Sequence, residues 1–103
     1  MKIKIPFLPI FKEPMLNDTK TMTCRKEKCG QPGDTFEAFG ATFEITHVMR
    51  MRLGFVGSDC FKQEGCKSEM DFIDVWQFIH PVNGFDEGQI VWAHCFRMIH
   101  VGT

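Results

Sequence analysis

The stretch "TFEITHVMRMRL", residues 42–53, has the polar and apolar alternation of a β-strand with one buried face. Its predicted apolar face carries Phe43, Ile45, Met49, Met51 and Leu53, and its predicted polar face carries Glu44, Thr46, Arg50 and Arg52. His47 falls on the apolar face, which favours a core or pocket-edge histidine over a catalytic one. A second alternating run occupies residues 35–39, so Phe39-Gly40-Ala41 is the predicted hairpin connection.

Both ends of the chain also predict extended structure. Residues 89–100 carry apolar side chains on both faces of a predicted strand, which is typical of a central strand. Residues 3–11 contain two prolines, which remove backbone donors, so an extended or edge segment is predicted there. The following residues allow only a short helix that starts near Pro14.

Two helices are predicted between these strands. The first covers residues 59–64, with Ser58 as its N-cap and Gly65 as its terminating residue. The second lies in "SEMDFIDVWQFIH", residues 68–80, where Ser68 and Asp71 resemble a capping box and Pro81 ends the helix. Trp76 recurs at helical spacing with other apolar residues, which favours a core position over a stacking platform. Strands at both ends with short helices between them predict an α+β chain, a compact mixed β-barrel with two or three short helices.

Length and composition exclude several classes of protein. The 103 residues suit a single domain, 1–103, and 44% apolar residues are enough to fill one core. The longest uncharged apolar run, residues 5–11, is far below the roughly 20 residues that span a bilayer, so no membrane contact is expected. A formal charge of −1 argues against a protein that grips long nucleic acid through phosphates, and no DNA partner is expected. A small ligand or a short basic patch stays open.

The five cysteines form an odd set, which favours reduced thiols and a cytoplasmic protein over a secreted disulfide scaffold. Two pairs, Cys24 with Cys29 and Cys60 with Cys66, have spacers at or beyond the loose end of zinc-site spacing, with no histidine close by. We therefore expect neither a metal nor another cofactor.

The segment "TKTMTCR", residues 19–25, is unusual because it concentrates a lysine, an arginine, three threonines and a cysteine around one clearly apolar residue, Met22. On its own it is typical of a solvated strand. The whole arrangement is more specific: a short helix, a turn, Lys-Thr-x-Thr-x-Arg entering a strand, a Gly-Asp turn and a later helical Glu-Gly. It resembles the ASCH domain, a PUA-like β-barrel, from about residue 7 to residue 99. The positions that carry the resemblance are Lys20, Thr21, Thr23, Arg25, Gly33, Asp34, Glu64 and Gly65.

This resemblance implies a small nucleoside or RNA ligand in a monomeric protein. Small bacterial members of the family include an amidohydrolase that removes acetate from N4-acetylcytidine. The resemblance implies that Lys20 is the proton acceptor, Thr23 the nucleophile and Glu64 the proton donor, and that Thr21 and Arg25 bind substrate. A threonine hydroxyl needs such a base at neutral pH, and a lysine can act as one only when it is neutral.

Geometry sets a condition on this hypothesis. Residues three apart in a strand point to opposite faces, so Lys20 and Thr23 can cooperate only if the strand begins near Thr21. Lys20 would then lie in the preceding turn, where its long side chain can reach the face that Thr23 shares.

Three alternatives remain open from the sequence. Asp18 stands where many relatives have a glycine, and its pairing with Lys20 would favour phosphate or carboxylate binding over base catalysis. A non-catalytic RNA-binding module would use a basic patch around the cleft, formed by Lys20, Arg25, Lys26, Lys28, Arg50 and Arg52. A partner-binding domain with a vestigial pocket is also compatible with the slight acidity of the chain.

Overall fold

The computed structural model describes residues 1–101, which form four strands, three α-helices and one short 3-10 helix. The 3-10 helix is Pro9–Phe11, and the α-helices are α1 Lys12–Leu16, α2 Leu53–Asp59 and α3 Glu69–Ile79. The strands are β1 Met22–Arg25, β2 Thr35–Ala38, β3 Ala41–Arg52 and β4 Ile90–Val101. No α-helix in this part of the chain is both long and apolar enough to cross a membrane.

The four strands form one curled antiparallel sheet in the order β1-β4-β3-β2. β4 therefore lies centrally, between β1 and β3, as its two apolar faces predicted. Phe39 and Gly40 form a two-residue hairpin turn between β2 and β3, and both have the positive φ angles that such turns need. The predicted α+β class, with a barrel-like sheet and three short helices, is confirmed.

The sheet separates two apolar clusters because side chains alternate between its faces. On β4, Val91 and Ala93 belong to a cluster that packs against α2 and α3, together with Cys24, Phe72 and Trp76. Phe96 belongs to the second cluster, which brings Phe36, Phe43 and Ile45 of the sheet against Ile5, Phe11 and Met15 of the N-terminal segment. The N-terminal segment and α3 thus lie on either side of β1.

The prediction that His47 lies in the core or at a pocket edge is wrong, since this side chain is exposed. A β-bulge causes the difference: Ile45 pairs with Phe96 whereas His47 pairs with the next residue, Cys95. β3 thus advances by two residues where β4 advances by one. Phe96 and Cys95 point to opposite faces of the sheet, so their partners Ile45 and His47 do as well. The inserted residue is Thr46.

The first predicted helix is also misplaced. The chain turns directly from β3 into α2 at Leu53, so Ser58 lies inside this helix. Residues 61–63 form turns instead of a helix, and Glu64 forms an isolated bridge. Gly54 lets the segment around Glu87 pack closely on the start of α2, since a Cβ there would lie 3.0 Å from the Cβ of Glu87. The second predicted helix is confirmed as α3, and the backbone N–H of Asp71 donates to the Ser68 hydroxyl over 3.1 Å.

Candidate functional site

A cleft of about 470 Å³ lies between the N-terminal segment, β1 and α3. Its lining combines polar groups of the chain around β1 with apolar and aromatic walls. The lining residues are Pro6, Phe7, Leu8, Phe11, Lys20, Thr23, Cys24, Arg25, Lys26, Glu27, Cys29, Glu64, Phe72, Val75, Trp76, Ile79 and His80. Its volume falls within the range of about 300–1,000 Å³ that small-molecule sites occupy.

Lys20 precedes β1 and is held between two loops. Its backbone forms an isolated antiparallel bridge with Glu64, and its backbone N–H donates to Pro14 over 2.8 Å. The residue is only 2% exposed. Its Nζ donates to the carbonyl of Met22 (2.8 Å), to the carbonyl of Glu64 (2.9 Å) and to Glu64 Oε1 (3.1 Å). Because an ammonium carries three donors, these bonds use all of them and define a buried ion pair.

Gly65 fixes the approach of Lys20 to this loop. Its φ is +84°, and an added Cβ would lie 2.8 Å from the Cβ of Lys20. Gly65→Ala is therefore expected to lower the free energy of unfolding by about 2 kcal/mol, through backbone strain together with a displaced lysine. Gly84→Ala is the matched control, since Gly84 also has a positive φ, +63°, but has open space around it. Equal losses in urea unfolding of the two variants would show that the contact with Lys20 contributes nothing.

Thr23 and Arg25 lie on β1 and are joined by a hydrogen bond. Arg25 Nε donates to the Thr23 hydroxyl over 3.0 Å, and Arg25 Nη2 donates to the carbonyl of Pro6 over 2.8 Å. The guanidinium also lies 4.9 Å from the ring centroid of Phe7. Burial lowers the pKa of Arg25 from its ordinary value. Arg25 thus ties the N-terminal segment to β1 and keeps a positive charge beside the Thr23 hydroxyl.

The aromatic walls suit a flat ligand. Trp76 packs against His80, with ring centroids 4.4 Å apart, and against Phe72, with centroids 6.2 Å apart. On the other side, the Lys20 ammonium lies 4.4 Å from the ring centroid of Phe11. Burial, followed by the nearby charges of Lys26 and Arg25, lowers the pKa of His80, so this imidazole is neutral at pH 7.

Two buried polar atoms in the cleft lining have no hydrogen-bond partner within residues 1–101. One is Glu64 Oε2, the oxygen that does not face the lysine, and the other is the indole Nε1 of Trp76. Buried polar atoms without partners are rare and mark unusual sites. One of these atoms is an acceptor and the other a donor, and both belong to residues that line the cleft.

His94 supports the site from β4, where sequence reasoning assigned it no role. It is fully buried opposite Thr23, and its Nε2 accepts from the backbone N–H of Cys29 over 2.9 Å. Its Nδ1 lies 3.3 Å from the Thr23 carbonyl oxygen, to which the neutral ring can donate. Burial is the main cause that lowers the pKa of His94. The neutral ring thus positions both β1 and the loop that follows it.

Cys24 also lines the cleft, but its surroundings oppose nucleophilic use. Burial, and then the Glu64 carboxylate, strongly raise the pKa of its thiol. Because the thiolate is the nucleophile of cysteine chemistry, this residue serves as part of the apolar core. Among residues 1–101, no three His, Cys, Asp or Glu side chains are grouped so that they could hold a metal ion.

The structure brings together most of the residues selected from the sequence. Lys20, Thr23, Arg25 and Glu64 all line the cleft, and the strand begins at Met22, so Lys20 precedes it. The hydrogen bonds of Lys20 Nζ in the described chain go to Met22 and Glu64 and not to Thr23. Thr21 is half-buried outside the cleft lining, where its backbone pairs with Gln63 and Phe96.

The alternative in which Asp18 pairs with Lys20 does not hold. Asp18 is exposed at a turn with φ +63°, and the carboxylate that pairs with Lys20 is that of Glu64. Lys20 is also too deeply buried to belong to a solvent-facing basic patch.

Comparison with solved structures identifies the fold. The hypothetical protein PH0355 superimposes with a TM-score of 0.74 at 16% identity, covering 96% of this chain and 100% of that one. The ASCH domain from Lactobacillus crispatus JV V101 gives 0.69 at 16% identity, covering 96% and 80%. Protein PF0455 from Pyrococcus furiosus gives 0.61 at 17% identity, covering 96% and 98%. No protein-family model and no curated protein matches the sequence. The chain therefore has the fold of an ASCH domain, as the arrangement around residues 19–25 predicted.

Proposed function

We propose that this protein is an amidohydrolase that removes an acyl group from a modified pyrimidine nucleoside such as N4-acetylcytidine. The observation that carries the proposal is the buried ion pair of Lys20 and Glu64, which lines the same cleft as Thr23. These three side chains supply an amine, a carboxyl and a hydroxyl, which are the groups that hydrolysis of an amide through an acyl-enzyme requires.

The cleft favours a flat, mostly apolar ligand with a few polar atoms. Phe7 and Trp76 both line it, and aromatic side chains of this kind stack on base rings. The unpartnered Glu64 Oε2 can accept a hydrogen bond from the N–H of an N-acyl amine. A neutral nucleobase satisfies both features without adding a charge to the cleft.

Proton transfer within the ion pair converts Lys20 and Glu64 into the forms that catalysis needs. Lys20 Nζ is protonated in this arrangement, and its proton can pass over 3.1 Å to Glu64 Oε1. A ligand that displaces water from the cleft removes solvent that stabilises the two charges. The free energy of the charged pair then rises relative to that of the neutral pair, which favours proton transfer. The result is a neutral amine beside a protonated carboxyl.

Acyl transfer to Thr23 and hydrolysis of the acyl-threonine then follow. The Lys20 amine accepts the Thr23 hydroxyl proton while the oxygen attacks the acyl carbon, and the Arg25 guanidinium stabilises the negative charge that develops nearby. Glu64 turns so that the protonated Oε1 faces the departing nitrogen, and it donates its proton there as the carbon–nitrogen bond breaks. Water then hydrolyses the acyl-threonine and releases the carboxylic acid. Lys20 must leave the Met22 carbonyl to reach Thr23, because its donors point to other acceptors in the unliganded protein.

A second candidate function, a non-catalytic RNA-binding module, is favoured by a row of side chains across three strands. Arg25, Trp92 and Arg50 are direct cross-strand neighbours, and the charges of Lys28 and Arg50 lie 5.8 and 5.9 Å from the Trp92 ring centroid. Basic groups around an aromatic ring are typical of surfaces that bind single-stranded nucleic acid.

Acetate release decides between the two functions. The purified protein is expected to convert N4-acetylcytidine into cytidine and acetate, at a rate that changes less than about twofold between 50 and 300 mM salt, because the substrate is neutral. Cytidine formation is followed by chromatography. Failure to release acetate, together with binding of short RNA that weakens about tenfold or more over this salt range, would replace the enzyme with the binding module.

A further inference from the structure

The buried indole N–H of Trp76 is a hydrogen-bond donor that the described residues leave unsatisfied. The residue is 4% exposed, and its Nε1 donates to no acceptor within residues 1–101. Its ring neighbours are Phe72 of the same helix and His80, the C-cap residue of that helix, and neither accepts from the indole N–H. An unsatisfied buried donor destabilises the folded state, so its presence in a cleft wall calls for a reason.

The second unpartnered atom lies in the same cleft and has the opposite polarity. Glu64 Oε1 is bound by Lys20, whereas Oε2 is a free acceptor among the described residues. Both residues line the cleft, so a ligand that enters between them and brings an N–H to Glu64 and an acceptor oxygen to Trp76 would satisfy both atoms. An N-acylated aminopyrimidine has both groups, the amide N–H and a carbonyl oxygen.

We infer that Trp76 is a specificity-determining residue whose indole N–H donates to a carbonyl oxygen of the bound pyrimidine. This inference rests on the proposed function and names how the cleft selects its substrate. A site that must satisfy a buried donor rejects rings without a matching acceptor, because such ligands leave the indole N–H unpaired. Stacking on an aromatic side chain does not distinguish between flat rings, whereas a hydrogen bond to the indole N–H does.

The chain contains only two tryptophans, so the indole N–H signals in a proton–nitrogen correlation spectrum report directly on this bond. Trp92→Phe identifies the remaining signal as that of Trp76, and Trp92 is not part of the cleft lining. Cytidine added to the wild-type protein, and N4-acetylcytidine added to Thr23→Val, are expected to move the Trp76 signal downfield. Movement with both ligands assigns the ring carbonyl as acceptor, and movement with N4-acetylcytidine alone assigns the acyl carbonyl.

Affinity provides the second measurement. Trp76→Phe keeps an aromatic wall but lacks the N–H, so cytidine or N4-acetylcytidine is expected to bind about tenfold more weakly. Phe78→Leu, at an exposed position of the same helix outside the cleft lining, is expected to bind normally. Binding that leaves the Trp76 signal unmoved overturns the inference and leaves the proposed function standing. Absence of binding for both nucleosides, together with absence of acetate release, overturns both.

Discussion

Thr23→Val is expected to reduce acetate release from N4-acetylcytidine by about 10³- to 10⁶-fold, the scale seen when a hydrolase loses its nucleophile. Valine has nearly the shape of threonine and suits β1, where Thr23 is 3% exposed, so the variant removes the hydroxyl with little change in packing. The kcat of the purified variant, measured by cytidine formation, gives the size of the loss.

Two controls separate chemistry from structure in this experiment. Thr23→Ser retains a hydroxyl and is expected to keep turnover well above that of the valine variant. Thr23→Val also deprives Arg25 Nε of its acceptor, which is expected to lower the free energy of unfolding by about 1 kcal/mol without loss of cytidine binding. A valine variant that still binds cytidine and turns over within about tenfold of the wild type rules out Thr23 as the nucleophile.

Local patterns predicted most of the secondary structure because they act within a few residues. Alternation defined β3 to within one residue at each end, and the positive φ of Phe39 and Gly40 follows from the two-residue hairpin. Ser68 caps α3 through a bond to a residue only three positions away. Interactions of this kind are present in the sequence itself and do not depend on how the sheet folds.

The errors came from contacts between distant parts of the chain. The bulge at Thr46 arises from the pairing of β3 with β4, about fifty residues later, and no local signal distinguishes His47 from a buried strand residue. At the start of α2, the backbone N–H groups of Leu53 and Gly54 donate to Gln89 and Glu87, which are distant contacts that composition does not reveal.

The sequence likewise indicated some residues of the candidate site and not others. The motif indicated Lys20, Thr23, Arg25 and Glu64 because these residue types at these positions resemble a known family. It did not indicate Trp76 or His94, because a tryptophan on an apolar helix face and a histidine in a central strand look like ordinary core residues. Their significance lies in single atoms, an indole N–H without an acceptor and an imidazole between two backbone groups.

Lys20→Met is expected to lower the free energy of unfolding by about 3–5 kcal/mol, because it leaves the Glu64 carboxylate buried without its counter-charge. Glu64 is 5% exposed, so water cannot replace the ammonium easily. Urea unfolding of the wild-type and variant proteins measures the effect.

The chain contains a matched ion pair that tests whether burial is the cause. Lys2 and Glu37 lie at the same distance as Lys20 and Glu64, 3.1 Å, but their side chains are 69% and 60% exposed. Lys2→Met is therefore expected to cost less than about 1 kcal/mol, the range of exposed pairs. The double variant Lys20→Met with Glu64→Gln is expected to recover most of the stability, because it removes both charges together. If the double variant were as unstable as Lys20→Met, the loss would come from the lysine's bonds to the Met22 and Glu64 carbonyls, and the ion pair would not be the source of its stability.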